Sequence, residues 1–359
     1  MIPKLTKMKG SRLLVLPLIP FILICFSCAE KNSWGREDNF SDFFQKEEVT
    51  IGVIDSGLGG LSIMAEAAAR TKDWGGFRRV HFIFFNALFS NQGGYNSLKS
   101  ASEKVSIFNS ALRSLEKNFA PNLILIGCNT LSTLFGDTAF FRQSKIPVVG
   151  IIDAGVELMS QNLKAHPESR VIIFATQTTV SQSSYKDRLV EKGFLPERII
   201  FQSCPELVDY IERDYKSDET EMLIFAYVDE ALKKIGTQRH PLYVSLNCTH
   251  YGYSLDIWKK AFNDLGVSPL AFLNPNSRMI DFLFPPKSRN RYKKTDILTR
   301  MVSMVEISQE KIASIGTYLK TYSPETARAL TNYELRENLF EWKHCIEDRK
   351  AIPTVGLDD

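Results

Sequence analysis

Beyond its first 28 residues the chain has no Cys-x-x-Cys, and its five histidines and remaining cysteines never combine into the two close ligand pairs of a structural zinc site. A metal centre is therefore not expected. No Gly-x-Gly-x-x-Gly follows an apolar run, which argues against a dinucleotide fold. The four cysteines after position 28 (Cys128, Cys204, Cys248 and Cys345) lie far apart in sequence, unlike the framework of a small disulfide-stapled domain. Excess positive charge is missing too. The chain counts 44 Lys+Arg against 41 Asp+Glu, but four of the basic residues (Lys4, Lys7, Lys9, Arg12) and no acidic ones fall within residues 1–28. The remainder is close to neutral, so no global pull toward nucleic acid exists. The one local basic run, Lys287 to Lys294, is a short loop.

Residues 1–28 do have a pattern. The basic start is followed by Leu13 to Phe26, almost wholly apolar but short for a bilayer span, and then by Ser27-Cys28. This suits a secretory signal, and a small residue before a cysteine at its end is lipoprotein-like, with Cys28 the expected lipidated residue. The expected location is the cell envelope, anchored by an N-terminal lipid. Plain secretion or a periplasmic location is the alternative. Residues 29–48 are polar and without period, and read as a tether.

From Val49 onward, apolar runs of strand length alternate with helical patterns. The runs are Val49–Ile54, Val80–Phe85, Leu123–Ile126, Val148–Ile152, Val171–Ala175, Ile199–Phe201 and Leu242–Leu246. Between them lie helical stretches such as Leu61–Thr71, Leu98–Phe119, Ala154–Lys164, Gln182–Lys192 and Asp218–Ile235. This alternation predicts an α/β fold of mostly parallel sheets flanked by helices. The expected division is lobe 1 over 49–147, completed by about 252–285, and lobe 2 over 148–251. Residues 286–359 read as an appended tail, with a strand near Leu298–Ile307, a helix over Gln309–Leu319, and another from Ser323-Pro324 to about Trp342.

In parallel sheets, ligands sit beyond the carboxyl ends of the strands. Four such ends are chemically rich: Asp55-Ser56-Gly57-Leu58-Gly59-Gly60, Gly127-Cys128-Asn129-Thr130, Thr176-Gln177-Thr178-Thr179 and Asn247-Cys248-Thr249-His250. The two cysteine ends resemble each other and stand about one lobe apart, which suggests sites facing across a cleft. A thiolate is accessible near neutral pH, so two thiols on opposite faces of a Cα form a plausible acid–base pair. Ser, Thr and Asn side chains supply neutral hydrogen bonds for an amino acid, and Asp55 or His250 is placed to tune the thiols. Cys204 and Cys345 lack such surroundings and read as structural.

Together Ile51-Gly-Val-Ile-Asp-Ser-Gly-Leu-Gly-Gly-Leu61, Gly127-Cys-Asn-Thr130, Pro147-Val-Val-Gly-Ile-Ile-Asp-Ala-Gly155, Ser203-Cys-Pro205 and Cys248-Thr-His-Tyr251 resemble the successive signatures of the glutamate racemase family, within the aspartate/glutamate racemase superfamily. The resemblance implies two pseudo-symmetric α/β lobes with the active site in the inter-lobe cleft, and cofactor-independent, two-base chemistry. It also implies catalytic roles for Cys128 and Cys248, assisted by Asp55 and His250. Ser56, Asn129, Thr130, Thr176, Thr179 and Thr249 are implied as substrate-binding residues. The chain departs from the family where an Asp and a Pro-Tyr-Gly are usual: Asn86 stands for the Asp, and Asn91-Gln92 precede Gly93. Asp153-Ala154, Ala175 and Gly252 are further departures.

These observations lead to an amino-acid racemase as the first reading. A ligand-binding lipoprotein on the same scaffold, or an isomerase or decarboxylase of a small dicarboxylic acid, fits the same residues. The expected partners are a small-molecule substrate (an amino acid or small dicarboxylic acid), the membrane through the N-terminal lipid, and a second copy of the chain as a homodimer. No cofactor and no nucleic acid are expected.

Overall fold

The computed structural model describes residues 38–91, 93–236 and 240–346. The expected signal, the lipidation site Cys28 and residues 29–37 of the expected tether lie outside them. The rest of that stretch is not a tether: Asp38–Gln45 is a helix whose Phe40, Phe43 and Phe44 fall on one face, with Phe43 buried against Phe77 and Phe40 packed against Phe282, and a strand starts at Glu48. Among the described residues no helix is long and apolar enough to cross a membrane.

The described residues form ten strands, in chain order β1 (Glu48–Asp55), β2 (Arg79–Asn86), β3 (Leu123–Ile126), β4 (Val148–Gly150), β5 (Arg170–Ala175), β6 (Ile199–Ser203), β7 (Leu242–Asn247), β8 (Ala271–Leu273), β9 (Asp296–Ser303) and β10 (Glu334–Leu335). They form two sheets, β10-β9-β2-β1-β3-β4 and β6-β5-β7-β8. Every pairing is parallel. The strands are continuous apolar runs because helices cover both faces. Val53, Ile54, Phe82, Ile83, Phe84 and Phe85 in the first sheet, and Ile172, Ile173 and Phe174 in the second, are all inaccessible to solvent.

The lobes divide differently from the sequence expectation. β4, read as opening the second lobe, pairs with β3 in the first sheet. β8, which is too short to stand out in sequence, pairs with β7 in the second. The helix Leu255–Asp264 packs with the helix Asp218–Ile235 of that same lobe. Residues 252–273 thus belong with the second lobe, and the first is completed by the tail instead. All eight residues of β9 pair with β2, from Arg79 opposite Asp296 to Asn86 opposite Ser303. The tail is therefore an integral part of the larger sheet rather than an appendage. Its last helix is also shorter than expected, spanning Pro324–Thr331. Asn332 leaves helical geometry, and Glu334 and Leu335 pair with Val302 and Ser303 as β10.

The turn after β1 brings the lobes together. Tyr253 Oη donates to Leu58 O (3.0 Å), and Leu58 N donates to Glu212 Oε1 (2.8 Å). A Cβ on Gly59 would stand 2.2 Å from Thr249 Oγ1 and 2.6 Å from His250 Nδ1. Only a residue without a side chain leaves room for the Thr249 and His250 side chains against this turn. Gly59→Ala is expected to lower stability by about 1–3 kcal/mol. Gly136→Ala, with no heavy atom within 4 Å of the added carbon, should be nearly neutral. Urea denaturation of the two variants checks this, and equal midpoints would contradict the close contact.

Candidate active site

Cys128 ends the turn after β3 and caps the helix Asn129–Leu134, its Sγ accepting from Leu131 N at 3.4 Å. Ser56 Oγ lies 3.1 Å from the same sulfur. Cys248 follows β7 in the other sheet, with its Sγ 3.7 Å from His250 Nδ1. Both cysteines are free thiols and almost wholly buried, at 7% and 6% exposure.

The two thiols share one cavity of about 60 Å³. Its wall comprises Asp55, Ser56, Asn96, Cys128, Asn129, Thr130, Thr176, Val208, Cys248, Thr249 and His250. Ser56, Asn96, Thr176 and Val208 also border a larger chamber of about 470 Å³, which continues past Tyr95, Gln177, Glu206, Asp209, Glu212 and Lys311. Every sequence-nominated site residue except Thr179 reaches the inner wall. Thr179 is fully buried behind it, where its hydroxyl meets that of Thr176 at 3.1 Å, and Thr176 in turn meets Thr130 at 2.9 Å. This row of hydroxyls spans the two lobes. Tyr185 Oη donates to Asn129 Oδ1 (2.5 Å), which leaves the buried Asn129 amide nitrogen without a partner.

Sequence reasoning missed Glu212, which the structure makes central. Its side chain is 6% exposed, and its Oε1 receives both Leu58 N and His250 Nε2 at 2.8 Å. Its Oε2 receives Lys311 Nζ at 2.9 Å. The one available signal was weak: Val208 and Glu212 stand four apart on the helix Leu207–Arg213 and so share a face. Asn96 was missed too, because the loop after β2 has no period.

Charge in this site is set by burial. Burial alone would raise the Glu212 carboxyl. The His250 hydrogen bond and charge, then Lys311 and the Leu58 N–H, reverse that and bring it to about 2. Glu212 is therefore ionised and can only accept, so in the neutral imidazole the His250 proton sits on Nε2. The Nδ1 lone pair then faces the Cys248 sulfur. Burial pushes the Cys128 thiol up to about 12, with the Asp55 charge adding to the effect, and drives Cys248 well above the ordinary thiol value. Both sulfurs thus rest as thiols in the protein alone. Cys248 has a base at hand in His250, whereas Cys128 has the Ser56 hydroxyl.

No family model matches the chain. Its curated relatives include several glutamate racemases. That of Persephonella marina is 27% identical over 226 residues, covering 61% of this chain and 77% of the relative. That of Lysinibacillus sphaericus is 30% identical over 202 residues, covering 56% and 69%. The chain belongs to the glutamate racemase family. The fold agrees with solved members. A glutamate racemase isoform from Bacillus anthracis superposes with a TM-score of 0.60 at 18% identity, over 82% of this chain and 99% of that one. The Francisella tularensis glutamate racemase, solved with D-glutamate, gives 0.59 at 21% identity, over 80% and 97%. The chain is a divergent member: the departure at Asn91 lines the outer chamber, and both Asn86 and Asn91 meet the tail. Asn86 Nδ2 donates to Ser303 Oγ (3.0 Å), and Asn91 Nδ2 donates to Glu306 O (3.2 Å).

Burial raises the Asp55 carboxyl to about 6, partly offset by the His250 charge and the hydrogen bond from Thr249. Between the unfolded and folded values the native state binds the extra proton. Asp55 therefore costs stability as pH rises from about 4 to about 7, by about 3 kcal/mol in all. Glu212 acts oppositely and lower, stabilising above about 4.5 and losing that contribution toward pH 2. Urea denaturation across pH 4–7 should show the Asp55 slope, and Asp55→Asn should flatten it. An unchanged slope would contradict the burial argument.

Proposed function

We propose that the protein is a cofactor-independent amino-acid racemase in which Cys128 and Cys248 work on opposite faces of one Cα. What carries the reading is that two thiols from separate sheets open into the same small cavity. The inner cavity suits the reacting carbon with its carboxylate and ammonium, and the outer chamber suits the side chain.

One sulfur, as thiolate, removes the Cα proton. The electron pair left on carbon delocalises into the substrate carboxylate, and the opposite thiol donates its proton to the other face. The first sulfur ends protonated and the second as thiolate, so the reverse direction exchanges their roles. The charge that allows either buried sulfur to ionise comes from its surroundings. For Cys248, His250 Nδ1 accepts the thiol proton and Glu212 supports the resulting imidazolium, in the manner of an acid–base triad. For Cys128, the Ser56 hydroxyl and Leu131 N–H stabilise the thiolate, and the substrate ammonium enters the same cavity. Asn129, Thr130, Thr176 and Thr249 are the polar groups placed to bind the substrate. Glutamate is the first substrate to test, because the relatives are glutamate racemases. The Ser27-Cys28 signal supports an exported, lipid-anchored protein, so the site would work outside the cytoplasm.

Incubation with single L-amino acids in deuterated water, glutamate first, tests this directly. Deuterium at Cα together with loss of optical rotation is expected for at least one amino acid. Cys128→Ala and Cys248→Ala should each lower racemisation by at least about a hundredfold, while one-sided exchange persists. Tight binding of one ligand with no exchange across the panel would support a receptor instead.

A further inference from the structure

We propose that Lys311, carried by the C-terminal helix Gln309–Lys320, is a positioning residue for the Cys248 half of the site. Its ammonium occupies one oxygen of Glu212, so that the other holds His250 with a free Nδ1 against the Cys248 sulfur. The assignment rests on the two-cysteine reading for its catalytic consequence, though not for its geometry.

A buried carboxylate needs partners on both oxygens. Glu212 Oε1 is filled by Leu58 N and His250 Nε2, and Oε2 by Lys311 Nζ at 2.9 Å. Lys311 is itself fixed at both ends. Its backbone N–H donates to the Ser308 cap at 3.4 Å, and its ammonium also meets Asp209 Oδ1 at 3.0 Å. Asp209 pairs in turn with Arg213. Charges therefore alternate outward from the thiol. Without Lys311, Oε2 would lose its ammonium partner at the wall of the outer chamber, and the carboxylate would gain by turning away from His250 toward that chamber or Arg213.

The other groups facing this unit come from every neighbouring element. They are Asp55 after β1, Cys128 after β3, Tyr185 on the helix Ser184–Glu191, Cys204 after β6, Tyr251 and Tyr253 after β7, and Glu310 and Tyr318 on the tail helix itself. None of them is a cation, so within this shell Lys311 and, one step further out, Arg213 carry the fixed positive charge. Removing Lys311 should make both the thiolate and the oriented imidazole harder to maintain at Cys248. Cys128 lies on the other lobe and is backed by Ser56, so it should be spared.

The experiment follows iodoacetamide alkylation of each cysteine in the full chain against pH, resolved by peptide mass spectrometry, which needs no substrate. In Lys311→Ala the Cys248 profile should move up by about half a unit or more, while that of Cys128 stays in place. Lys311→Arg should restore it. Lys311→Met, which keeps the packed stem, should repeat the alanine result and serves if the alanine variant folds poorly. Unchanged profiles at both cysteines, or equal shifts at both, overturn the proposal. In turnover, kcat should fall about tenfold for the enantiomer that Cys248 deprotonates, with KM steady. A wild-type protein silent in turnover would sink the racemase reading alone, because the alkylation result stands independently.

Discussion

One buried charge ties this molecule together. The Glu212 carboxylate accepts a backbone N–H from the turn after β1, an imidazole from the segment after β7, and an ammonium from the tail helix. Those three donors belong to three distant stretches of chain, and each alone would leave a desolvated oxygen uncompensated. An ion in such a position is a poor source of net stability, because its desolvation cancels much of the attraction. It is a good source of geometry, because few arrangements of the lobes satisfy it. The relative placement of the two thiols is thus fixed by an interaction that neither thiol makes directly.

The two halves of the site differ in a way their matching strand ends conceal. Cys128 and Cys248 both follow apolar strands and both stand beside small polar residues, yet one has a hydroxyl neighbour and the other an oriented imidazole. The row of hydroxyls from Thr130 through Thr176 to Thr179 adds polar lining without adding charge. A neutral lining of this kind stabilises ligand groups of either sign, and leaves proton affinity to be governed by Asp55, Glu212 and His250.

How much of this was legible in advance depends on the range of the interactions involved. Strand-length apolar runs such as Val80–Phe85 report burial on both faces, and that is a local property, so the parallel sheets and the chemically rich strand ends could be read directly. Pairing partners are not local. Nothing in Val148–Gly150 says that it borders β3, and three residues at Ala271–Leu273 are too few to show a period. The tail was misjudged for the same reason: the eight-residue register of β9 on β2 depends on an open edge some two hundred residues earlier. Among the site residues, those next to strand ends stood out. Glu212 and Lys311 did not, since a Glu or a Lys on a helix looks solvated until the opposing surface is known.

The position of β9 also constrains how the protein comes into being. Because β2 lies between β1 and β9, its outer edge stays open until residues near position 300 have been made. A chain halted at Pro285 would retain both thiols and most of the pocket lining, yet leave eight residues of backbone unpaired along the largely apolar β2. Such a fragment would be prone to pair with another copy of itself. The larger sheet is therefore complete only once β9 has been made, and the same late stretch of chain brings the Lys311 ammonium.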